Sequence, residues 1–344
     1  MVKFCSVFIL SGLCILAVAA ESAAPRWRIM LPWQPQAQFA GFYVAADKGI
    51  FAAHGLDVEL VHLERGDDLF AAMKSGERVA VASPLVAALQ VRDKGVAAVN
   101  IIQIGRRSSI LLVARASSGI KQCSDLNTPR RDGTRRRVAV WDTANFGVAP
   151  RLWLNRDRVN VEIVPLYAGV DLFLWDAVDA ISVMDYNEFY ELLQAGFRSD
   201  ELCRIRLSET PFDFPEDGLY VDSGLLASSP GECEKLAAAV AEGMRLACRD
   251  KPAALGMVRR RIEAVRGKFD YSHQSWMIGT YFENAAPDRA GFGVLPRDKF
   301  NTVTRALLRG KVIATAPRYD EFTAEMAVDP AAAPVSAANR GGLR

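Results

Sequence analysis

The stretch from Leu31 to His62 constrains the fold more than any other part of the chain: LPWQPQAQFAGFYVAADKGIFAAHGLDVELVH. A short apolar strand ends at Leu31, and a turn holding Trp33, Gln38 and Phe39 follows. A helix opens at Ala40-Gly41-Phe42-Tyr43 and closes at Lys48-Gly49, and a second strand runs Leu56-Asp57-Val58-Glu59-Leu60 after His54-Gly55. A strand–loop–helix–strand unit places aromatic rings and free backbone N–H groups at a helix mouth. Orphan donors and the helix dipole face the crevice there, so the mouth is suited to a small molecule.

Strand and helix signals alternate beyond this unit. Strands are expected at Trp27–Leu31, Leu56–Val61, Val79–Ala82, Asn100–Gln103, Ile110–Ala114, Arg137–Val140, Val161–Pro165, Ala180–Val183 and Leu219–Ser223. Helices are expected between them, notably Asp67–Ser75, Pro84–Lys94, Val148–Arg156 and Asn187–Ala195. Such alternation predicts an α/β fold with largely parallel sheets. After Ser229 the pattern turns helical, over Gly231–Arg249, Pro252–Arg266, His273–Phe282 and Pro296–Arg309, with Pro230 and Pro252 suited to helix starts. The Ala-, Pro- and Gly-rich tail, 327–344, reads as disordered.

At 344 residues the chain is long enough for about two domains, and half of it is hydrophobic. With 42 basic and 40 acidic residues, the net charge of +2 supplies no global field for nucleic acid or anionic lipid. The basic run Arg130–Arg137 reads as a solvated loop. Residues 1–20 read as a signal peptide: Lys3 supplies the positive end, Phe4 to Ala20 is too short for a stable span, and Ala17, Ala19 and Ala20 suit cleavage. Leu13 before Cys14 disfavours a lipoprotein. A soluble, exported, periplasmic protein is expected. Four cysteines follow the signal, Cys123, Cys203, Cys233 and Cys248, and four allow three disulfide pairings or none.

Several chemistries lack their motifs. The three histidines, His54, His62 and His273, have no helix-face metal spacing, and there is no HExxH. There is no GxxxxGK[ST], no GxGxxG after a strand and no GxSxG. No metal or other cofactor is expected. The candidate binding residues sit at strand-to-helix mouths. Trp33, Phe39 and Tyr43 offer stacking surfaces, and Gln38 a polar hand, at the first. Ser83, before Pro84, reads both as a helix N-cap and as a ligand contact. Ser109 opens a strand. Thr143 and Asn145 lie in Trp141-Asp142-Thr143-Ala144-Asn145-Phe146-Gly147, the second-half counterpart of the first mouth. Tyr186 and Glu188 follow the strand Ala180–Val183, where a carboxylate can accept two N–H bonds from an aminopyrimidine edge. Glu216 and Asp217 read as a solvated turn.

The segments Trp33-Gln34-Pro35, Ala40-Gly41-Phe42-Tyr43-Val44-Ala45, Lys48-Gly49-Ile50-Phe51 and His54-Gly55-Leu56-Asp57-Val58 resemble the opening signature of the NMT1/THI5-like (SsuA/THI5-like) solute-binding proteins. Asp179-Ala180, Tyr186-Asn187-Glu188, Phe214-Pro215-Glu216-Asp217-Gly218-Leu219-Tyr220, Glu242-Gly243-Met244 and Lys251-Pro252-Ala253-Ala254 extend the resemblance over roughly 27–312. One departure stands out: Gln38 and Phe39 occupy the place where the family often has histidine. The resemblance implies a two-lobe periplasmic binding protein, type II-like, with the ligand cleft between lobes. Lobe one would be 26–114 plus 224–325, and lobe two 115–223. It further implies a non-enzymatic monomer that captures a small heteroaromatic metabolite, such as a thiamine-precursor pyrimidine, for an ABC permease in the inner membrane. The alternatives are a sensory module working with a membrane kinase and an enzyme of pyrimidine synthesis.

Overall fold

The computed structural model describes residues 26–63, 67–75, 77–142, 146–324, 326 and 328. The expected signal peptide, and the expected tail apart from Val328, lie outside the described residues. Two five-stranded sheets form the frame. The first takes β1 (Trp27–Leu31), β2 (Val58–His62), β3 (Val79–Pro84), β4 (Ala98–Gln103) and β10 (Asp217–Asp222), in the order β2-β1-β3-β10-β4. The second takes β5 (Ile110–Arg115), β6 (Arg137–Trp141), β7 (Glu162–Leu166), β8 (Ala180–Met184) and β9 (Leu202–Arg206), in the order β7-β6-β8-β5-β9.

Both sheets are mixed: four strands of each run the same way, as the expectation of largely parallel sheets has it, and a fifth runs against them. β1 runs parallel to β2 and β3, but β10 is antiparallel to β3 and to β4. β6 runs parallel to β7 and β8, but β5 is antiparallel to β8 and to β9. The reason is topological. The parallel strands point their carboxyl ends at the gap between the sheets. A chain that crosses from one sheet enters the other at that gap, so its strand must run away from it. β5 follows the first crossover and β10 the second, and each is the reversed strand of its sheet. β9 was not anticipated, because Leu-Cys-Arg-Ile-Arg is short, charged and at an edge, the usual disguise of an edge strand. The helix expected over Asp67–Ser75 is only a 3-10 segment, Ala71–Ser75.

The helices are α1 (Ala40–Asp47), α2 (Ile50–Ala53), α3 (Leu85–Asp93), α4 (Val148–Arg156), α5 (Asp171–Leu174), α6 (Glu188–Gln194) and α7 (Ser223–Ser228), followed by α8 (Pro230–Arg249), α9 (Lys251–Ala264), α10 (Tyr271–Ala285), α11 (Arg297–Arg309) and α12 (Tyr319–Phe322). In α11 the buried residues are Phe300, Val303, Thr304 and Leu307, one stripe at helical spacing. α1 is different: Ala40 to Ala45 are all buried, because α8 and α9 cover it. Among the described residues no helix is long and apolar enough to cross a membrane.

α1 and α8 approach closely because two glycines face each other. A Cβ on Gly243 would press on the Gly41 carbonyl oxygen and come within 2.8 Å of the Ala45 methyl, both in the buried part of α1. Alanine favours a helix interior over glycine by about 1 kcal/mol, while overpacking costs about 1–3 kcal/mol. Gly243→Ala should therefore lower the melting temperature by several degrees. Gly256→Ala, in α9 with open space around it, should raise it slightly. A Gly243→Ala protein as stable as the parent would show slack between α1 and α8.

Candidate functional site

One cavity of about 380 Å³ opens between the two sheets. Its walls come from the residues that follow the parallel strands: Pro32, Trp33, Gln36 and Gln38 after β1, Leu63 and Asp67–Phe70 after β2, Ala87, Gln90 and Val91 of α3 with Lys94 at its end after β3, and Trp141, Phe146, Tyr167, Met184, Tyr186, Asn187 and Glu188 at or after β6, β7 and β8. This is the crevice outside the carboxyl ends of the strands, where α/β sheets hold ligands. Six aromatic rings reach it: Trp33, Phe70, Trp141, Phe146, Tyr167 and Tyr186. The ionisable groups of its wall besides the tyrosines are Asp67, Asp68, Glu188 and Lys94, and no arginine lines it among the described residues.

Four of the ten candidates line this cleft: Trp33, Gln38, Tyr186 and Glu188. Thr143 and Asn145 lie outside the described residues. The other four stand behind the walls. Phe39 and Tyr43 are fully buried, Phe39 packing its ring 5.5 Å from that of His62 and Tyr43 directing its hydroxyl to the same histidine. Tyr43 on α1 and Phe39 just ahead of it are turned inward, where other helices cover α1. Ser83 is buried within β3 opposite Gly218, so it does not cap α3, whose N-cap is Pro84. Ser109 lies in the first crossover, where its backbone N–H donates to Glu216 (2.5 Å) and its hydroxyl accepts from Asn284 (2.7 Å).

Glu216 and Asp217 are not the solvated turn expected from sequence; both are about 95% buried. Glu216 precedes β10 and Asp217 begins it, at the point where the second crossover meets the first, so the surrounding chain encloses them. The Asp217 carboxylate accepts from the Gln38 amide (2.6 Å) and from the Tyr281 hydroxyl (3.0 Å). Burial pushes the pKa of each acid above the usual carboxylate range. Gln38 also accepts from the Gln36 amide at 2.7 Å, which links the cleft wall to this floor. Tyr186 meets Tyr281 edge to face, with centroids 5.6 Å apart.

Glu188 opens α6 and reaches back. Its carboxylate accepts the Met184 N–H (2.9 Å) and the Asn187 amide (2.6 Å), which brackets the turn that presents Tyr186. Sequence reasoning missed Phe70 and Tyr167, which follow the outer strands, and Gln90 and Lys94 on the exposed side of α3. An aromatic just past a strand end was the available signal for the first two. Cys123, Cys203, Cys233 and Cys248 are all free thiols, and none lines the cleft. Among the described residues no cluster of three or more His, Cys, Asp or Glu could hold a metal ion.

Two mixed sheets joined by two crossovers, with an aromatic cleft at the carboxyl ends of their strands, define the periplasmic binding protein fold. The chain belongs to the NMT1/THI5-like family, whose model matches residues 36–254. Among solved structures it is similar to the periplasmic aliphatic sulphonate-binding protein SsuA from Escherichia coli, at 12% identity and a TM-score of 0.65 over 87% of this chain and 92% of that one. It is also similar to the ligand-binding component of an ABC-type import system from Staphylococcus aureus, solved with zinc bound (13% identity, TM-score 0.60, 87% and 97% coverage). The desulfurization enzyme DSZB shares the fold at 15% identity and a TM-score of 0.54, again over 87% and 97%. At these identities the likeness establishes the fold alone. No curated protein matches.

Burial raises the Glu188 pKa to about 7. An unfolded glutamate titrates near ~4.3, so the folded protein holds this proton more tightly. The stabilising contribution is full below the unfolded pKa and is lost as the pH climbs through about 7. Glu188→Gln cannot titrate. Between pH 5 and pH 8, denaturant unfolding should show the parent losing about 2–3 kcal/mol relative to this variant. Parallel pH profiles for the two proteins would show that the carboxyl titrates normally.

Proposed function

We propose that this protein is an exported, monomeric solute-binding protein that captures a small heteroaromatic metabolite bearing N–H donors, of the thiamine-precursor pyrimidine type, for an ABC permease. The observation that carries this reading is the composition of the cleft wall: six aromatic rings with three carboxylates and a single lysine. Rings stack on a flat ligand, and carboxylates accept N–H bonds that a sulfonate could not offer. A sulfonate would instead meet like charge. The cavity volume of about 380 Å³ falls in the range of small-molecule sites.

In this reading Trp33 and Tyr186 stack on the ligand, while Glu188, Gln38 and Asn187 orient it. Two lobes close over it; strand membership favours 26–103 plus 217–324 and 110–206, joined through 104–109 and 207–216, over the expected 26–114 plus 224–325 and 115–223, which would split both sheets. Mass spectrometry of small molecules released from the purified protein identifies the ligand. With that ligand, Trp33→Ala and Glu188→Gln should each weaken binding by about 1–3 kcal/mol, roughly ten- to a hundred-fold, in calorimetric titration. Unchanged affinity in both variants would place the ligand elsewhere. Closure of two lobes about two crossovers should shrink the radius of gyration in small-angle scattering when the ligand saturates the protein. An identical profile with and without ligand would speak against closure.

A further inference from the structure

The turn Trp33–Gln36 contributes Trp33 and Gln36 to the cleft wall, yet it carries no helix or strand of its own. Its shape is held from behind by two residues that do not line the cleft. His62, the last residue of β2, pairs in register with Leu31, the last of β1. Its Nδ1 lies 2.6 Å from the Trp33 carbonyl oxygen, and its Nε2 lies 2.9 Å from the Tyr43 hydroxyl. A carbonyl can only accept, so Nδ1 carries the proton. In the neutral ring Nε2 is then the acceptor, and the Tyr43 hydroxyl donates to it. The Gln36 backbone interacts with that same hydroxyl oxygen.

The Tyr43–His62 relay therefore grips the turn at both ends, through the carbonyl of Trp33 and the backbone of Gln36. The rings are themselves fixed. The edge of Phe39 packs on His62, and the Arg261 guanidinium, ion-paired with Asp47, sits 5.6 Å over the Tyr43 ring. Burial favours the neutral imidazole that this arrangement requires.

We propose that Tyr43 and His62 are positioning residues of the cleft, which hold the Trp33 ring in its ligand-ready place without touching the ligand. The proposal rests on the reading that a ligand binds in this cleft, and its test separates the two. Protein labelled with 5-fluorotryptophan gives one fluorine resonance per tryptophan, and Trp33→Phe assigns the one that matters. Tyr43→Phe removes the donor to Nε2 and the contact with Gln36. His62→Gln places its amide near the Nε2 position and loses the bond to Trp33. His62→Asn places an N–H near the Nδ1 position and keeps that bond.

Tyr43→Phe and His62→Gln should shift and broaden the Trp33 resonance while the other tryptophans stay put. They should also weaken binding of the probe 4-aminopyrimidine about ten-fold, with melting temperatures within a few degrees of the parent. His62→Asn, which keeps the bond to the Trp33 carbonyl but loses the link to Tyr43, should lie clearly nearer the parent than His62→Gln in both the resonance and the affinity. A Trp33 resonance unmoved by Tyr43→Phe and His62→Gln overturns the proposal, as does a His62→Asn protein that behaves like His62→Gln. If 4-aminopyrimidine binds none of the proteins, the parent included, the reading of the cleft fails, and the Trp33 resonance still decides the role of the pair.

Discussion

The structure depends on how two crossing chains satisfy their buried backbone. Between β4 and β5, and again between β9 and β10, the chain leaves one sheet for the other through segments whose buried parts, Ile104–Gly105, Ser108–Ser109 and Phe214–Glu216, have N–H and C=O groups that the protein itself must serve. Gln103 answers much of this demand. Its amide donates to the carbonyls of Gly105, Glu216 and Asp217 at 2.8, 3.0 and 3.1 Å, tying the second crossover to the first. Glu216 returns the tie by accepting the Ser109 N–H. The approach leaves no room for side chains: a Cβ on Gly105 would come within 3.0 Å of the Asp217 nitrogen, and one on Gly218 within 3.0 Å of the Gln103 amide oxygen.

α10 braces this junction. Gln274 accepts the Ala37 N–H ahead of α1, Trp276 donates to the Asp185 carbonyl after β8, Tyr281 donates to Asp217, and Asn284 holds Arg107 and Ser109 in the first crossover. One helix thus touches both sides of the cleft and its floor. The acids at that floor are kept from water, and burial raises the pKa of Glu216, Asp217 and Glu188 alike.

The features legible in the sequence were those set by near neighbours. β1 and α4 have the expected bounds, since a run of five apolar-rich residues and a helical stripe are local patterns. The helices after Ser229 emerged within a few residues of expectation for the same reason. Trp33, Gln38, Tyr186 and Glu188 line the cleft, and all four lie in or beside turns after strands, which are read from short-range chemistry. Phe39 and Tyr43 were misplaced because their direction depends on α8, α9 and His62, which lie far along the chain or across a sheet. Glu216 and Asp217 were taken for a solvated turn because two adjacent acids carry no local mark of burial.

By itself the sequence determined the alternation of strands and helices, the strand–turn–helix mouth at 31–62 and the aromatic character of the turn that begins it. These follow from periodicity and turn propensity over a few residues. Only the tertiary structure decided that β5 and β10 run backwards within their sheets, that Gln103 and Glu216 clasp the crossovers, and that Tyr43 and His62 stand behind Trp33 rather than beside it. Each of those outcomes is a matter of which distant segments come into contact, and a buried polar group finds its partner in three dimensions, not along the chain.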